Sequence, residues 1–279
     1  MGKFDRVLLA CDFDNTLVYT EPALVAGEPL PSLTAENREA LESFTAQGGH
    51  FAVATGRALA AFQAIAPGLP INTPCVLCNG AALYDFARGE YLDCNLLDEA
   101  ALRRGQALLD DFPTLAVEAY HIGNVVHAVR PNEYGRRHEH LTQVGTEEKP
   151  SLLEVPLPLG KFIFEDDHAT LQAARRRMTE WGWDADYEIV FSRDNLLEVT
   201  AKGANKGGMV LRLAERLGIA REDVCCMGDE ANDLSMLRAA GHAFAPANGT
   251  DAVKAVSTVV SHAESRAVAD VVDLLDRLY

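Results

Sequence analysis

The sequence predicts a doubly wound α/β fold: a parallel-sheet core interrupted by an inserted α+β unit. Three observations predict it. Runs that are apolar throughout recur, each ending in polar or glycine-rich residues: "VLLAC" before Asp12, "FAVA" before Thr55, "CVLC" before Asn79, "VCCM" before Gly228 and "AFAPA" before Asn248. Such runs suit parallel strands buried on both faces, not the alternation of a half-exposed sheet. Helical patterns separate them, which is the signature of strands joined by crossover helices. Between these stretches, from about residue 86 to 200, the strands become less uniformly apolar. The expected organisation is therefore a core from 1–85 and 201–279 and an insertion over 86–200.

Each element has its own warrant. Thr34 is placed to cap the helix "AENREALESFTAQ", and Gly48-Gly49 stops it. "KGGMVLRLAERLG" puts Met209, Val210, Leu213 and Leu217 on one face and ends at Gly218; "NDLSMLRAAG" ends at Gly241 in the same way. The last helix carries Val268, Val271, Val272, Leu275 and Leu278 on one face. Inside the insertion, "LAVEAYHI-GN-VVHAVR" predicts a hairpin turning at Gly123-Asn124. The strand "KFIFE", the helix "HATLQAARRRMTEW" and a second hairpin, "YEIVFS-RDN-LLEVT", follow.

Composition narrows the function classes. A chain of 279 residues with 48% hydrophobic residues can bury a sizeable core. Its formal net charge of −16 comes with no basic stripe, which argues against a nucleic-acid partner. No apolar run reaches the roughly 18 residues of a membrane span, and the N-terminus lacks a signal-peptide layout. Five of the six cysteines lie in apolar runs, where cysteine behaves as a small hydrophobe, and "CVLC" has no second pair to complete a zinc site. A reduced, cytoplasmic protein is expected. Nothing in the sequence points to a protein partner or sets an oligomeric state.

In an open α/β sheet, ligands bind beyond the carboxyl ends of the strands. Asp12 and Asp14, Thr55-Gly56 and Asp229 all sit there, with Asn232 and Asp233 at a helix start and Lys206 in the first turn of another helix. Crowded carboxylates resist ionising without a cation, and magnesium prefers oxygen ligands while sharing its shell with phosphate. Phosphate-ester hydrolysis is so slow uncatalysed that a route through a covalent intermediate is favoured. In that reading Asp12 attacks phosphorus and becomes an aspartyl phosphate, while Asp14 protonates the leaving alcohol and then deprotonates water. Thr55, backbone amides near Gly56, and Lys206 bind phosphoryl oxygens. Alone, each residue has a plainer reading as turn, cap or surface group; together they point to catalysis.

These residues resemble the haloacid dehalogenase superfamily of phosphohydrolases, in its Cof-type subgroup. "DFDNTL" is similar to the first motif, "ATGR" (Ala54 to Arg57) to the second, Lys206 in "GANKGG" to the third and "GDEANDLSML" to the fourth; "CNGAALYD" adds subgroup character. The resemblance covers about 1–85 and 201–279, and implies a Rossmann-like core with the middle segment as a large cap. It implies Asp12 as nucleophile, Asp14 as acid/base and, through its backbone carbonyl, a magnesium ligand, with Asp229 ligating directly. Asp233 and Asn232 are implied to belong to the same site, Asp233 with Asp12 among the metal-binding acids and Asn232 among the phosphate- or substrate-binding groups, and Gly56 and Arg57 to the phosphate-binding second motif. The expected activity is a magnesium-dependent phosphatase acting on small phosphorylated metabolites, sugar phosphates foremost. A phosphosugar mutase and a phospho-aspartate signalling module are the alternatives. "EPALVAGEPLP" (Glu21 to Pro31) is longer than the usual connection there and is placed to shape the entrance.

Specificity should reside in the cap. Glu118, His121, Arg130 and Arg193 lie on strands or turns able to face the site, yet each reads more simply as a solvated surface residue. "HEH" (His138 to His140) reads as a surface helix rather than a metal site, and Trp181 and Trp183 as packing residues.

Overall fold

A computed structural model describes residues 2–123, 125–263 and 265–279. The first stretch contributes strands β1 (Leu8–Cys11) and β2 (His50–Val53), separated by helices α1 (Glu21–Ala26) and α2 (Ala35–Ala46). Thr34 caps α2 as expected, accepting from the Asn37 N–H. After the short helix α3 (Leu59–Phe62) comes a meander of β3 (Cys75–Leu77), β4 (Ala82–Asp85) and β5 (Glu90–Cys94). The insertion supplies α4 (Glu99–Asp111), β6 (Ala116–His121), β7 (Val126–Val129), α5 (Glu133–Thr142) and β8 (Glu147–Lys149). It continues with β9 (Leu159–Glu165), α6 (His168–Glu180), β10 (Tyr187–Arg193) and β11 (Leu196–Ala201). The chain closes with α7 (Lys206–Leu217), β12 (Val224–Met227), α8 (Leu234–Ala239), β13 (His242–Ala245), α9 (Asp251–Lys254), β14 (Thr258–Val259) and α10 (Ala267–Leu278).

The first and last stretches form one five-stranded sheet of order β14-β13-β12-β1-β2, with every pair parallel. Alternation along β1 feeds two cores. Leu9 and Cys11 pack with Leu41 and Phe44 of α2 and Val268 and Leu275 of α10; Leu8 and Ala10 pack with Met209 and Leu213 of α7 and Met236 of α8. Helices on both faces explain why β1 and β12 are apolar throughout. All six cysteines are free, and burial pushes the Cys75 thiol up to about 12.

The insertion forms a six-stranded sheet of order β10-β11-β9-β6-β7-β8. Phe162, Phe164, Val117 and Leu197 belong to its apolar core with Leu108 of α4 and Leu171 of α6. In the first hairpin, Tyr120 stands opposite Val126, and the His121 N–H donates to the Val125 carbonyl; Asn124, half of the predicted turn, lies outside the described residues. The predicted cut at 85/86 falls within the β4–β5 hairpin. There, Arg212 of α7 is bound to Asp93, so the chain stays against the first fold as far as Cys94. Trp183 is buried as predicted, whereas Trp181 is 40% exposed under the Arg177 guanidinium.

Candidate active site

Two parallel strands set the acids. β1 and β12 run in register, Cys11 opposite Met227, so Asp12 and Asp229 leave the sheet at the same edge. The short turn at Ala231–Asp233 folds back and buries Asp233 completely. Gly228 makes this possible, because a Cβ there would lie 2.4 Å from the Asp233 carboxyl carbon. Asn205 caps α7 through the Gly208 N–H, and Lys206 at the first helical position is fully buried. Its Nζ donates to Asp12 Oδ1 and Asp233 Oδ1, both at 2.6 Å. Burial disfavours the ammonium, but the two carboxylates win and raise its pKa.

Asp12, Asp229 and Asp233 bring carboxylate oxygens within 4.8 Å of one another. Burial foremost, then Asp233, pushes Asp229 up to about 7, and burial likewise raises Asp12 against the pull of Lys206. Three buried carboxylates against one ammonium leave an excess of negative charge, and every donor is a hard oxygen. That set fits a divalent cation such as magnesium. The oxygens are not equivalent. Asp233 Oδ1 takes Lys206 and its Oδ2 takes the Asp229 and Glu230 N–H groups; Asp229 Oδ1 takes the Thr16 hydroxyl. Asp12 Oδ2 and Asp229 Oδ2 have no hydrogen bond among the described residues, and both residues line one cavity.

Asp14 lines the same cavity, but its carboxylate is not one of the clustered three and is bound instead by Arg57. Arg57 binds it through Nε and Nη2 at 2.8 and 2.7 Å, and the Thr20 hydroxyl donates to it at 2.7 Å. Burial alone would raise its pKa; the guanidinium and these hydrogen bonds hold it below the usual carboxylate value. The guanidinium also lies 5.3 Å from the Phe13 ring centroid. Thr55 is buried, its hydroxyl accepting from the Arg57 N–H. Gly56 faces the cavity, and Asn232 donates to Asn79 at 3.1 Å.

The cavity, about 430 Å³, lies between the five-stranded sheet's edge and the insertion. Here the structure adds residues that the sequence did not mark. Lys161 donates to the Gly56 carbonyl at 2.9 Å and to Glu198 at 2.8 Å, while Asn79 donates to Glu198 at 2.8 Å. Asn79 has φ of 54°, within the tight turn "CNG". The signal for Lys161 was present in "KFIFE", where alternation sets Lys161, Ile163 and Glu165 on one face. The expectation that Glu118 is a solvated residue is overturned: it is 3% exposed, because α5 covers it. His138 is likewise no surface group, with Nδ1 3.0 Å from Glu118 and 2.8 Å from Glu165. Arg193 borders the cavity with no hydrogen bond or ion pair among the described residues, though its charge helps to lower the Asp14 pKa. Arg130 instead binds the Pro113 carbonyl, and His121 faces His127 at 2.8 Å.

Among the described residues, no helix is long and apolar enough to cross a membrane. The chain is 26% identical to the Escherichia coli pyridoxal phosphate phosphatase YbhA, over 91% of this chain and 92% of that one. It is 25% identical to the Bacillus subtilis 5-amino-6-(5-phospho-D-ribitylamino)uracil phosphatase YcsE, over 92% and 90%. The solved structure of the subclass IIB sugar phosphatase BT4131 superposes with a TM-score of 0.77 at 20% identity, covering 98% of each chain. Residues 9–272 match the haloacid dehalogenase-like hydrolases, and the chain belongs to that family.

Proposed function

We propose that this protein is a magnesium-dependent phosphatase of small phosphorylated metabolites, sugar phosphates foremost. The observation that carries the reading is the pair of oxygens, Asp12 Oδ2 and Asp229 Oδ2, without a hydrogen bond among the described residues, at a cavity that Asp14 also lines. The six-stranded insertion acts as the cap and the parallel sheet as the core, with the β4–β5 hairpin counted in the core.

Asp12 and Asp229 would hold the magnesium, with the Asp14 carbonyl completing the protein's share; when bound, the cation offsets charge on the carboxylates and the phosphoryl oxygens. Asp233 serves by fixing Lys206 and the Asp229 loop, since both of its oxygens are occupied. Asp12 forms a bond to phosphorus as the bond to the leaving alcohol breaks, and Asp14 gives that alcohol its proton. Asp14 then takes a proton from water, which attacks the aspartyl phosphate, frees Asp12 and releases inorganic phosphate. Arg57 holds Asp14 ionised in the free protein, so the acid role requires that pair to open and Asp14 to take up a proton, from solvent or from the phosphate monoanion of the substrate, before it gives one to the alcohol. The substrate phosphate is the anion able to take over the guanidinium. Lys206, Thr55, the Gly56 amide and Asn232 fix the phosphoryl group.

The test is phosphate release from a panel of sugar phosphates and pyridoxal phosphate, with magnesium or with a chelator. Turnover should need magnesium and fall at least about a thousandfold in Asp12→Asn. Return of the phosphoryl group to a second sugar would instead make it a mutase. A long-lived acyl phosphate without turnover would make it a signalling module.

A further inference from the structure

The face of the cap sheet that borders the cavity carries charge along β6, β9 and β11. Glu118, Lys161, Glu165 and Glu198 are each buried to 4% exposure or less. Lys161, Glu198 and Glu118 have partners in place, the last accepting from the Tyr120 hydroxyl at 2.6 Å. Glu165 is different: among the described residues neither oxygen has a well-aligned hydrogen bond, although Oε1 lies 2.8 Å from His138 Nδ1. That nitrogen carries one hydrogen at most and is shared between two buried carboxylates.

This arrangement is built rather than incidental. Asn132 caps α5 through the Tyr134 and Gly135 N–H groups and donates to the Glu165 carbonyl at 2.8 Å, pinning the helix to the end of β9. Gly135 then lets the helix settle over Glu165, because a Cβ there would lie 2.6 Å from Oε2. The consequence is a fixed imidazole with one edge anchored by glutamates. His138 lines the cavity, whereas Glu118 and Glu165 lie behind it, and Nε2 makes no hydrogen bond among the described residues. Two carboxylates at Nδ1 favour the cationic ring. Beside it, Arg137 lines the same cavity with no hydrogen bond or ion pair among the described residues. Lys161 touches Gly56 at the reaction centre, while Glu165 is four residues further along β9, roughly 13 Å away.

We propose that His138, with Arg137, forms a subsite for an anionic group at the end of the substrate remote from the scissile phosphate. Glu118 and Glu165 are positioning residues that hold the imidazolium. The substrate class is then a phosphate ester that ends in a carboxylate or in a second phosphate. This rests on the phosphatase reading above, which gives the near end of the cavity its phosphate.

The experiment compares esters that differ only at the remote end. For wild-type protein, kcat/KM is measured for 6-phosphogluconate and for sorbitol 6-phosphate, with fructose 1,6-bisphosphate against fructose 6-phosphate as the second-phosphate arm. Esters that are not turned over are compared as inhibitors of p-nitrophenyl phosphate hydrolysis. At least one anionic ester should be preferred tenfold or more over its neutral counterpart, and His138→Gln should bring that ratio to about one. Glu165→Gln should shrink it, while His138→Lys, which keeps the charge, should retain part of it. A wild-type ratio near one in both arms overturns the proposal without any variant, so a misfolded variant cannot rescue it. A ratio that survives His138→Gln overturns it as well, and so does a zinc ion bound stoichiometrically at Glu118, His138 and Glu165. Failure of the phosphatase reading would look different: no phosphate would be released from any ester, p-nitrophenyl phosphate included.

Discussion

At the scale of single residues, charge buried without full compensation decides which side chains matter. Glu165 and His138 illustrate it. Burial lifts Glu165 to about 7; for His138 burial pulls down, but the Glu118 hydrogen bond and the charge of Glu118 and Glu165 outweigh it and lift the ring to about 9. The groups facing the ring are Glu118 from β6, whose carboxylate also accepts from the Tyr120 hydroxyl, and Glu165 from β9, with the charge of Glu198 on β11 also felt. Both shifts are upward, so both favour the protonated form in the folded state. Their stabilisation is complete in acid and lost as pH rises, through about 7 for Glu165 and about 9 for His138. The loss for His138 alone is on the order of 3 kcal/mol. Thermal unfolding followed from pH 6.5 to 9.5 should show the wild type losing stability steeply and His138→Gln losing it much less. Parallel curves would mean that the ring gains nothing from its glutamates. None of this was legible in "HEH". The partners of His138 lie 20 residues before it and 27 after it, and no local pattern shows that a strand's polar face will be covered by a helix. The strand-end positions of Asp12 and Asp229 were legible because each lies just past an apolar run, where the end of a buried strand marks its own position, and Asp14 stands two residues beyond the first.

At the scale of elements, the same contrast separates the two sheets. The core strands are buried on both faces and announce themselves as continuous apolar runs, so their order along the chain and their helices were readable. The cap strands alternate, and alternation ordinarily means one face in water. Here the polar face of β9 and β11 meets the core instead, through Lys161, Glu198 and Asn79. Strand β5 was missed for a related reason: its exposed and half-buried residues do not reveal that α7 holds them. The Lys161–Glu198 pair yields a prediction about this junction. Lys161→Met leaves a buried carboxylate with one amide donor, at a cost of about 3–5 kcal/mol. Urea unfolding should show a loss of that size, largely recovered in Lys161→Met/Glu198→Leu, where no buried charge is left alone. Turnover should remain depressed in both, because the tie to the Gly56 carbonyl is gone in both. An unchanged midpoint for Lys161→Met would show that the pair is solvated and the junction is held by other contacts.

At the scale of the whole molecule, the fold concentrates unfavourable charge at the edge of its most apolar sheet. Asp12, Asp229 and Asp233 are each 6% exposed or less, and one ammonium neutralises only part of their charge. The parallel register of β1 and β12 forces the first two together whether or not a cation is present. The apo protein therefore carries a repulsion that a cation relieves, and the cation should act on global stability as a ligand of the folded state. Linkage gives about 2.7 kcal/mol at a hundredfold excess over the dissociation constant. For a chain of this size that is a rise of several degrees in unfolding temperature, growing with the logarithm of magnesium concentration. Asp229→Asn separates this mechanism from a general salt effect. Its amide oxygen can still accept from Thr16, while the charge that Asp233 opposes is removed. The variant should therefore melt higher than wild type in chelator and gain little from added magnesium, so that the two proteins converge or cross as magnesium rises. Scanning calorimetry of both, with sodium chloride at matched ionic strength as control, reads the outcome. If sodium chloride reproduces the wild-type rise, or if Asp229→Asn melts lower in chelator and still responds fully to magnesium, the acidic cluster is not the seat of the cation.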